Sequence, residues 1–265
     1  MLKNLVESDI VEKLGAKLES MRWYMDTTSK KYSCLGRTAY DSQKTWVYVN
    51  PKSYDNCCTV YTAIVEEVGF IPSPCLNCWK VVVKPFTLYE LFKLYEFEKA
   101  YTKDCMGTDR FCKCGIEERP WVNYNYGGYF YNDSKEQGLQ RWKEVREAVD
   151  KINPDIPVIL KRYCTEFELK LGPSDLYEWT PWMDKAEKMI FDAIDFTSMG
   201  ENAVQPDYLI RHCMRKWIEF AYDRGDATAL LFNENEPLYS PTITYHPGGT
   251  AEERAKKRKE NKYVK

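Results

Sequence analysis

The chain has 265 residues, of which 44% are hydrophobic and 29% are charged, and its formal net charge at neutral pH is −2. This length and composition indicate a globular protein that can bury a core without disulfides, and the small net charge excludes a general attraction of the whole chain to nucleic acid. No run approaches the ~18 apolar residues of a membrane-spanning helix, and the N-terminus lacks the apolar segment of a signal peptide. We therefore expect a reducing, cytoplasmic compartment, in which the ten cysteines are thiols or metal ligands.

The first predicted region, residues 1–70, contains a helix, a strand and a second helix. Apolar residues at helical spacing after the N-cap candidate Ser8 predict the first helix. Residues 45–49 are rich in β-branched and aromatic side chains, which predicts a short strand. The second helix, over 59–68, ends at Gly69, because glycine is best suited to a left-handed C-cap.

Residues 71–172 predict an α+β core of the ferredoxin-like type. Strand-like runs and two helical stretches follow one another in the order β-α-β-β-α-β, which is the split βαβ arrangement. The spacing of Thr87 and Glu90 predicts a capping box for the first helix, and Asp133 and Ser134 cap the second. The predicted strands are 80–84, 116–122, 128–132 and 157–168, and the predicted helices are 87–100 and 135–152.

Beyond residue 172 the pattern becomes helical. Apolar residues at helical spacing over 182–196 and 207–222 predict two helices. We therefore expect a C-terminal helical region, residues 173–249, that packs on the core.

The last predicted region, residues 250–265, is a basic, flexible tail. It holds seven Lys or Arg against three Glu, a net charge of +4, which leaves −6 on the rest of the chain. Such a tail can neutralise nucleic-acid phosphates, and the alternative is a solvated segment without a partner.

Four cysteines in two close pairs predict a metal site. Cys75 and Cys78 lie in P-C-L-N-C-W, and Cys112 and Cys114 lie in F-C-K-C-G. Two such pairs, separated by a helix-length insert, can bring four thiolates to one tetrahedral ion, usually zinc. In the predicted fold each pair directly precedes one of two parallel strands, so both pairs should lie at the same edge of the sheet. A zinc ion that is coordinated by four cysteines has no open coordination position, so such a site is structural rather than catalytic.

Other ligand sets and metals stay open at this point. Cys105 precedes Cys112 by seven residues, and either Cys105 or Cys164 can replace one of the four ligands. An iron–sulfur cluster is the second candidate cofactor, and uncoordinated thiols are the third possibility.

The third predicted strand, in the run Y-N-Y-G-G-Y-F-Y-N, is the candidate binding surface. Alternation places Tyr129 and Tyr131 on the sheet face that the two core helices leave open, and Phe130 in the core. Lys161 and Arg162 on the fourth strand add positive charge. The G-Y-F-Y run resembles the third-strand motif of RNA-recognition-motif domains, which stack bases on aromatic rings. We therefore predict a nucleic-acid site; the alternative is a tyrosine-rich strand that the C-terminal helices cover.

Three functions are compatible with these features. The first is a zinc-binding protein that binds or modifies nucleic acid, with single strands favoured, through the aromatic sheet face and the basic tail. The second is a viral or mobile-element interaction or inhibitor protein, which contacts a protein partner through aromatic side chains. The third is an enzyme that acts on a small molecule or a modified base. Its candidate acid–base and anion-binding residues are Glu117, Glu118, Arg119 and Glu166, and no catalytic residue is assigned.

Overall fold

The computed structural model shows an α+β protein and describes residues 7–34, 45–49, 58–103, 111–199, 204–239 and 250–253. Helices and strands are numbered in chain order. The α-helices are α1 Glu7–Ser20, α2 Cys58–Ala63, α3 Ser73–Leu76, α4 Leu88–Lys103, α5 Lys135–Asp150, α6 Thr165–Leu171, α7 Pro181–Asp192 and α8 Asp207–Asp223. The strands are β1 Trp23–Asp26, β2 Lys31–Cys34, β3 Trp46–Val49, β4 Trp79–Val83, β5 Cys112–Ile116, β6 Tyr126–Asn132, β7 Val158–Arg162 and β8 Ile194–Asp195.

A five-stranded sheet forms the centre of the fold. Its strand order is β3-β5-β6-β4-β7, and every neighbouring pair is antiparallel. From β4 the chain crosses through α4 to β5, turns into β6, and crosses through α5 to β7. Because β4 and β5 are both antiparallel to β6, they run parallel to each other with β6 between them.

Local capping signals position both crossover helices. At α4 the Glu90 amide donates to Thr87 Oγ1 (3.2 Å) and the Thr87 amide donates to Glu90 Oε2 (3.1 Å), which confirms the capping box. At α5 the Ser134 hydroxyl accepts a hydrogen bond from a backbone amide of the first turn (3.2 Å). A π-helical turn, Ile64–Val68, follows α2 and ends at Gly69, whose φ of 84° confirms the left-handed C-cap.

Strand alternation gives the central sheet two different faces. On one face, side chains of β3 to β7 are buried together with apolar residues of α4, α5 and α8. This face includes Cys112, Cys114 and Phe130, and the last of these was predicted to be in the core. The alternate positions face the other way. They carry Trp46, Tyr48, Lys80, Lys113, Tyr129 and Tyr131.

A second core lies around the N-terminal helices. Buried side chains come from α1, α2, α3, α6, α7 and a three-stranded sheet of order β1-β2-β8. In that sheet β1 and β2 form a hairpin, and β2 pairs in parallel with β8. The sequence predicted neither strand of the hairpin, because each has only four residues and shows too short an alternation.

The second predicted strand lies earlier in the chain than expected. The strand is Cys112–Ile116 rather than 116–122, so Cys112 and Cys114 lie inside it and not before it. The run C-K-C-G-I alternates small buried side chains with a lysine, and free cysteine behaves as a small hydrophobic residue. Pro120 cannot donate to a strand ladder, which is why the segment after Ile116 leaves the sheet.

The fourth predicted strand is also shorter than expected. β7 ends at Arg162, and the segment predicted to continue it to residue 168 forms α6 instead. Tyr163, with a φ of 30°, breaks the extended backbone between the two elements. Glu166 and Glu168 therefore lie on a helix and not at alternating strand positions.

Two compact units divide the chain, residues 1–229 and residues 230–265. The first contains both cores and both sheets. In the second, the Asn235 amide donates to the Leu230 carbonyl (2.9 Å) in a turn. Residues 254–265, which carry the positive charge of the predicted tail, lie outside the described residues.

In the part of the chain that the structure describes, no helix is both long and apolar enough to cross a membrane.

A substitution at Gly115 tests the register between β3 and β5. A Cβ atom at this position would lie 2.4 Å from the Thr45 carbonyl oxygen and 3.0 Å from Trp46 Cα, and these backbone atoms cannot move without shifting β3. We expect Gly115→Ala to lower the free energy of unfolding by about 1–3 kcal/mol in urea denaturation, the usual range for overpacking. The exposed α5 variant Lys143→Ala should stay within ~0.5 kcal/mol of the wild type. Equal stability of the two variants would contradict this register.

Candidate functional site

A cleft of about 790 Å³ opens on the sheet face opposite α4, α5 and α8. Its floor comes from β3 to β6, and its other walls come from α2, α3, α6 and the loop after β5. Neither α7 nor α8 contributes a lining residue, which does not favour the alternative in which the C-terminal helices cover this face. The volume lies within the range of ~300–1,000 Å³ that is typical of small-molecule pockets.

The loop after β5 brings a buried ion pair to the cleft. The Glu117 side chain is 1% exposed, and its two oxygens accept hydrogen bonds from Arg119 Nε (2.6 Å) and Arg119 Nη2. The Tyr129 hydroxyl donates to Glu117 Oε2 (2.8 Å) and accepts from Arg119 Nη2 (2.8 Å). The Tyr124 and Tyr129 hydroxyl oxygens are 3.0 Å apart. Both carboxylate oxygens are therefore satisfied, which is the condition for keeping this charge buried.

Burial and these hydrogen bonds keep Tyr129 protonated and Arg119 charged. Burial raises the pKa of Tyr129, and the charges of Tyr124 and Glu117 raise it further, so Tyr129 remains a phenol that donates a hydrogen bond. The hydrogen bond to Glu117 raises the pKa of Arg119, which stays a guanidinium cation. Arg119 and Tyr129 thus orient neighbouring groups and do not exchange protons at neutral pH.

Glu166 on α6 is the carboxylate best placed to accept a proton or a hydrogen bond. Arg119 Nη1 donates to its Oε1 (2.7 Å). Burial on its own would raise the pKa of Glu166, but the hydrogen bond and the charge of Arg119 outweigh burial and lower that pKa. Oε2 is buried and accepts no hydrogen bond from any described residue. An ionised carboxylate on a side chain that is 39% exposed at a cleft can serve as a general base.

Two further polar atoms are buried at the cleft without a hydrogen-bond partner in the described part of the chain. Asn132 is 4% exposed and its Nδ2 donates to the Phe130 carbonyl (3.0 Å), but Oδ1 accepts nothing. The Tyr163 hydroxyl is likewise unpartnered, in a residue that is fully buried. Both residues line the cleft. Because buried polar groups in proteins are nearly always hydrogen-bonded, these two atoms indicate places for ordered water inside the protein.

Two lysines bring positive charge to the floor. Lys113 Nζ lies 4.7 Å from the centre of the Trp46 ring and 5.6 Å from the centres of the Tyr48 and Tyr129 rings. Lys80 is 6% exposed, and its Nζ donates a hydrogen bond to the sulfur of Cys164 (2.9 Å). Aromatic faces attract cations, so the rings hold Lys113 in place on the floor.

The structure does not bring the four predicted metal ligands together. Cys75 packs in the N-terminal core and, with Cys78, lines the cleft, whereas Cys112 and Cys114 are buried on the helix-covered face. The sheet therefore lies between the two pairs, because both members of the second pair are inside β5. Among the described residues, no group of three or more His, Cys, Asp or Glu is arranged to hold a metal ion. Cys105 lies outside those residues, and a zinc or iron–sulfur site stays a prediction without geometric support.

The predicted nucleic-acid residues do not form one exposed surface. Tyr129 is 7% exposed and belongs to the buried ion-pair cluster, while Tyr131 is half-buried on the cleft floor. Lys161 forms an ion pair with a glutamate of α6. Arg162 donates to two backbone carbonyls, at 2.6 Å and 3.2 Å. Binding of a nucleic-acid strand stays a prediction.

The predicted acid–base candidates do converge. Glu117, Glu118, Arg119 and Glu166 all line the cleft, and Arg119 bonds to both Glu117 and Glu166. Sequence reasoning missed Asn132 and Tyr163 as cleft residues. Asn132 ends a buried strand, and a polar residue at such a position does not by itself indicate a binding site. The turn at Tyr163 was not predicted, because the sequence pattern suggested that the strand continues to residue 168.

No protein-family model matches the chain, and neither the curated proteins nor the solved structures give a significant match.

A buried carboxyl group lies on the helix-covered face, away from the cleft. Glu98 of α4 is fully buried, and its Oε1 lies close to where a Cβ of Gly128 would be. Neither carboxyl oxygen accepts a hydrogen bond of ordinary geometry from a described residue. Burial raises the pKa of Glu98 well above its usual value, and the Cys114 thiol opposes this only in part. The neutral acid is therefore the form that this core accommodates.

Glu98 predicts a specific pH dependence of stability. Because its pKa is raised in the folded state, its contribution is fully present below the unfolded-state pKa of about 4.3 and is lost as pH rises towards the folded-state value. Glu98→Gln removes the ionisable group. We expect the free energy of unfolding of the wild type to fall relative to that of Glu98→Gln by up to about 1.4 kcal/mol per pH unit above pH ~5.

Urea denaturation at a series of pH values measures this difference. Glu96→Gln is the matched control on the same helix, since the Glu96 side chain is 63% exposed. A constant difference between wild type and Glu98→Gln across pH 5–8 would show that Glu98 is not buried as a neutral acid.

Proposed function

We propose that the chain is a small-molecule-binding protein whose cleft takes a nucleotide-like ligand, a planar ring with N–H donors joined to an anionic group. Glu166 is in the position of a general base, so an enzymatic reaction on such a ligand is compatible with the site. The observation that carries this proposal is one cleft of suitable volume, lined by the Glu166 carboxylate, by Lys80 and Lys113 and by aromatic rings.

The Glu166 carboxylate suggests what the ligand presents. It can only accept hydrogen bonds, so it requires an N–H or O–H donor on the ligand. A heterocyclic base carries donors of this kind on one planar edge.

The charge and the rings of the floor suggest the rest of the ligand. Lys80 and Lys113 supply two ammonium groups to the floor, next to the guanidinium of Arg119. An anionic group such as a phosphate is therefore attracted to the lysines. Trp46 and Tyr131 add aromatic walls, against which a planar ring can pack.

The fold that holds this site is, we infer, an extended ferredoxin-like domain. Without β3, the central sheet has the order β7-β4-β6-β5, in which both crossover helices lie on one face. This is the split βαβ arrangement, and β3 adds one strand at the β5 edge. The face without crossover helices is then the natural place for a ligand.

Calorimetric titration with nucleoside monophosphates tests the proposal. We expect at least one of AMP, GMP, CMP and UMP to bind, and the matching nucleoside to bind at least ~10-fold more weakly, since it lacks the anionic group; tenfold corresponds to about 1.4 kcal/mol. Lys113→Met should also weaken nucleotide binding about tenfold, and Glu166→Gln should do the same because an amide replaces the charged acceptor.

Lys143→Met is the matched control, because Lys143 is exposed on α5 and outside the cleft. Absence of nucleotide binding by the wild type, or equal affinity of Lys113→Met and Lys143→Met, would overturn the proposal. A single-stranded oligonucleotide is titrated in parallel. Tighter binding of the strand than of every mononucleotide would favour the nucleic-acid function instead.

A further inference from the structure

Three thiols line the cleft, and the proposed ligand does not account for them. They belong to Cys75, Cys78 and Cys164. Cys75 and Cys78 are three residues apart in the turn at α3, where the Cys78 amide donates to the Cys75 carbonyl (3.1 Å). Cys164 is half-buried and directly precedes α6. A small reagent that enters the cleft therefore meets these thiols, whereas Cys112 and Cys114 are closed off in the core.

Lys80 contacts the sulfur of Cys164 from the floor of the cleft. Its ammonium donates a hydrogen bond to Cys164 Sγ at 2.9 Å and lies 5.5 Å from the centre of the Tyr131 ring. Lys80 is 6% exposed, so little water screens this contact. A cation in this position can stabilise the anionic oxygen that leaves when the sulfur is oxidised.

The backbone places Cys164 beside the Cys75–Cys78 turn. The Tyr163 amide donates to the Cys78 carbonyl (2.8 Å), so the two chain segments lie side by side, with Cys164 one residue further along. This neighbourhood is compatible with the Cα separation of about 4.4–6.8 Å that a disulfide requires.

We propose that Cys164 is a peroxide-reactive thiol and that Cys78 resolves its oxidised form as a disulfide. The sulfur of Cys164 attacks one peroxide oxygen; an S–O bond forms, the O–O bond breaks, and the other oxygen leaves as hydroxide, which takes up the proton released by the Cys164 thiol and becomes water. The sulfur of Cys78 then attacks the sulfur of the sulfenic acid; an S–S bond forms, the S–O bond breaks, and the hydroxide leaves with the proton of Cys78 as a second water. Two thiols and hydrogen peroxide thus give one disulfide and two waters, with the two electrons passing from sulfur to the peroxide.

Peptide mass spectrometry after treatment of the full chain with hydrogen peroxide tests this assignment. Remaining thiols are blocked with N-ethylmaleimide before digestion. We expect a Cys78–Cys164 disulfide in the wild type and, in Cys78→Ser, a sulfenic acid on Cys164 that dimedone traps. Lys80→Met should react about tenfold more slowly, since it loses one charge-assisted hydrogen bond to the attacking sulfur.

Cys34→Ser is the matched control, because Cys34 is a half-buried thiol outside the cleft. Its oxidation rate should equal that of the wild type. A Cys75–Cys78 disulfide that forms as fast in Cys164→Ser as in the wild type would overturn the proposal, and so would dimedone labelling on another cysteine. The outcome is independent of nucleotide binding, because the reagent is hydrogen peroxide and the readout is the position of the modified sulfur.

Discussion

Side-chain alternation along β5 and β6 divides the chemistry of this protein between the two faces of one sheet. Cys112 and Cys114 face the helix-covered core, and Lys113 between them faces the cleft. A slip of one residue would place the lysine among apolar side chains and both thiols in the cleft, which burial on one face strongly disfavours. Gly115 adds a second constraint, because the backbone of β3 passes too close for any larger residue. The positions of the cleft and of the buried thiols thus follow from the same register.

The buried ion pair then gives the cleft its shape. Arg119 bonds to Glu117 in its own loop and to Glu166 on α6, so one guanidinium joins the sheet side of the cleft to its helical wall. Removing it would leave the Glu117 charge buried without its partner, which is far more destabilising than the pair is stabilising. A lysine could not replace it, because only the planar fork reaches two carboxylates and the Tyr129 hydroxyl together. The cleft is therefore pre-organised.

Sequence reasoning succeeded where the signals are local and failed where partners are distant. The capping box of Thr87 and Glu90 spans three residues and can be recognised without knowledge of the fold. The cysteines of β5 suit both a metal knuckle and a half-buried strand, so their spacing alone could not decide between the two. The contact between Arg119 and Glu166 joins residues 47 positions apart, and it depended on a helix where a strand was predicted. The candidate residues were found, but their arrangement was not.

The cysteines show most clearly why residue type and spacing are insufficient here. Burial raises the pKa of Cys112 and of Cys114, so these thiols are held in the unreactive form. Cys164 occupies the opposite environment, with an ammonium 2.9 Å from its sulfur and a cleft in front of it. The two environments differ because the helix-covered face of the sheet is apolar and closed to water, whereas the cleft on the other side is open to solvent and contains charged side chains. A thiol in this fold therefore takes its chemistry from the face on which it lies.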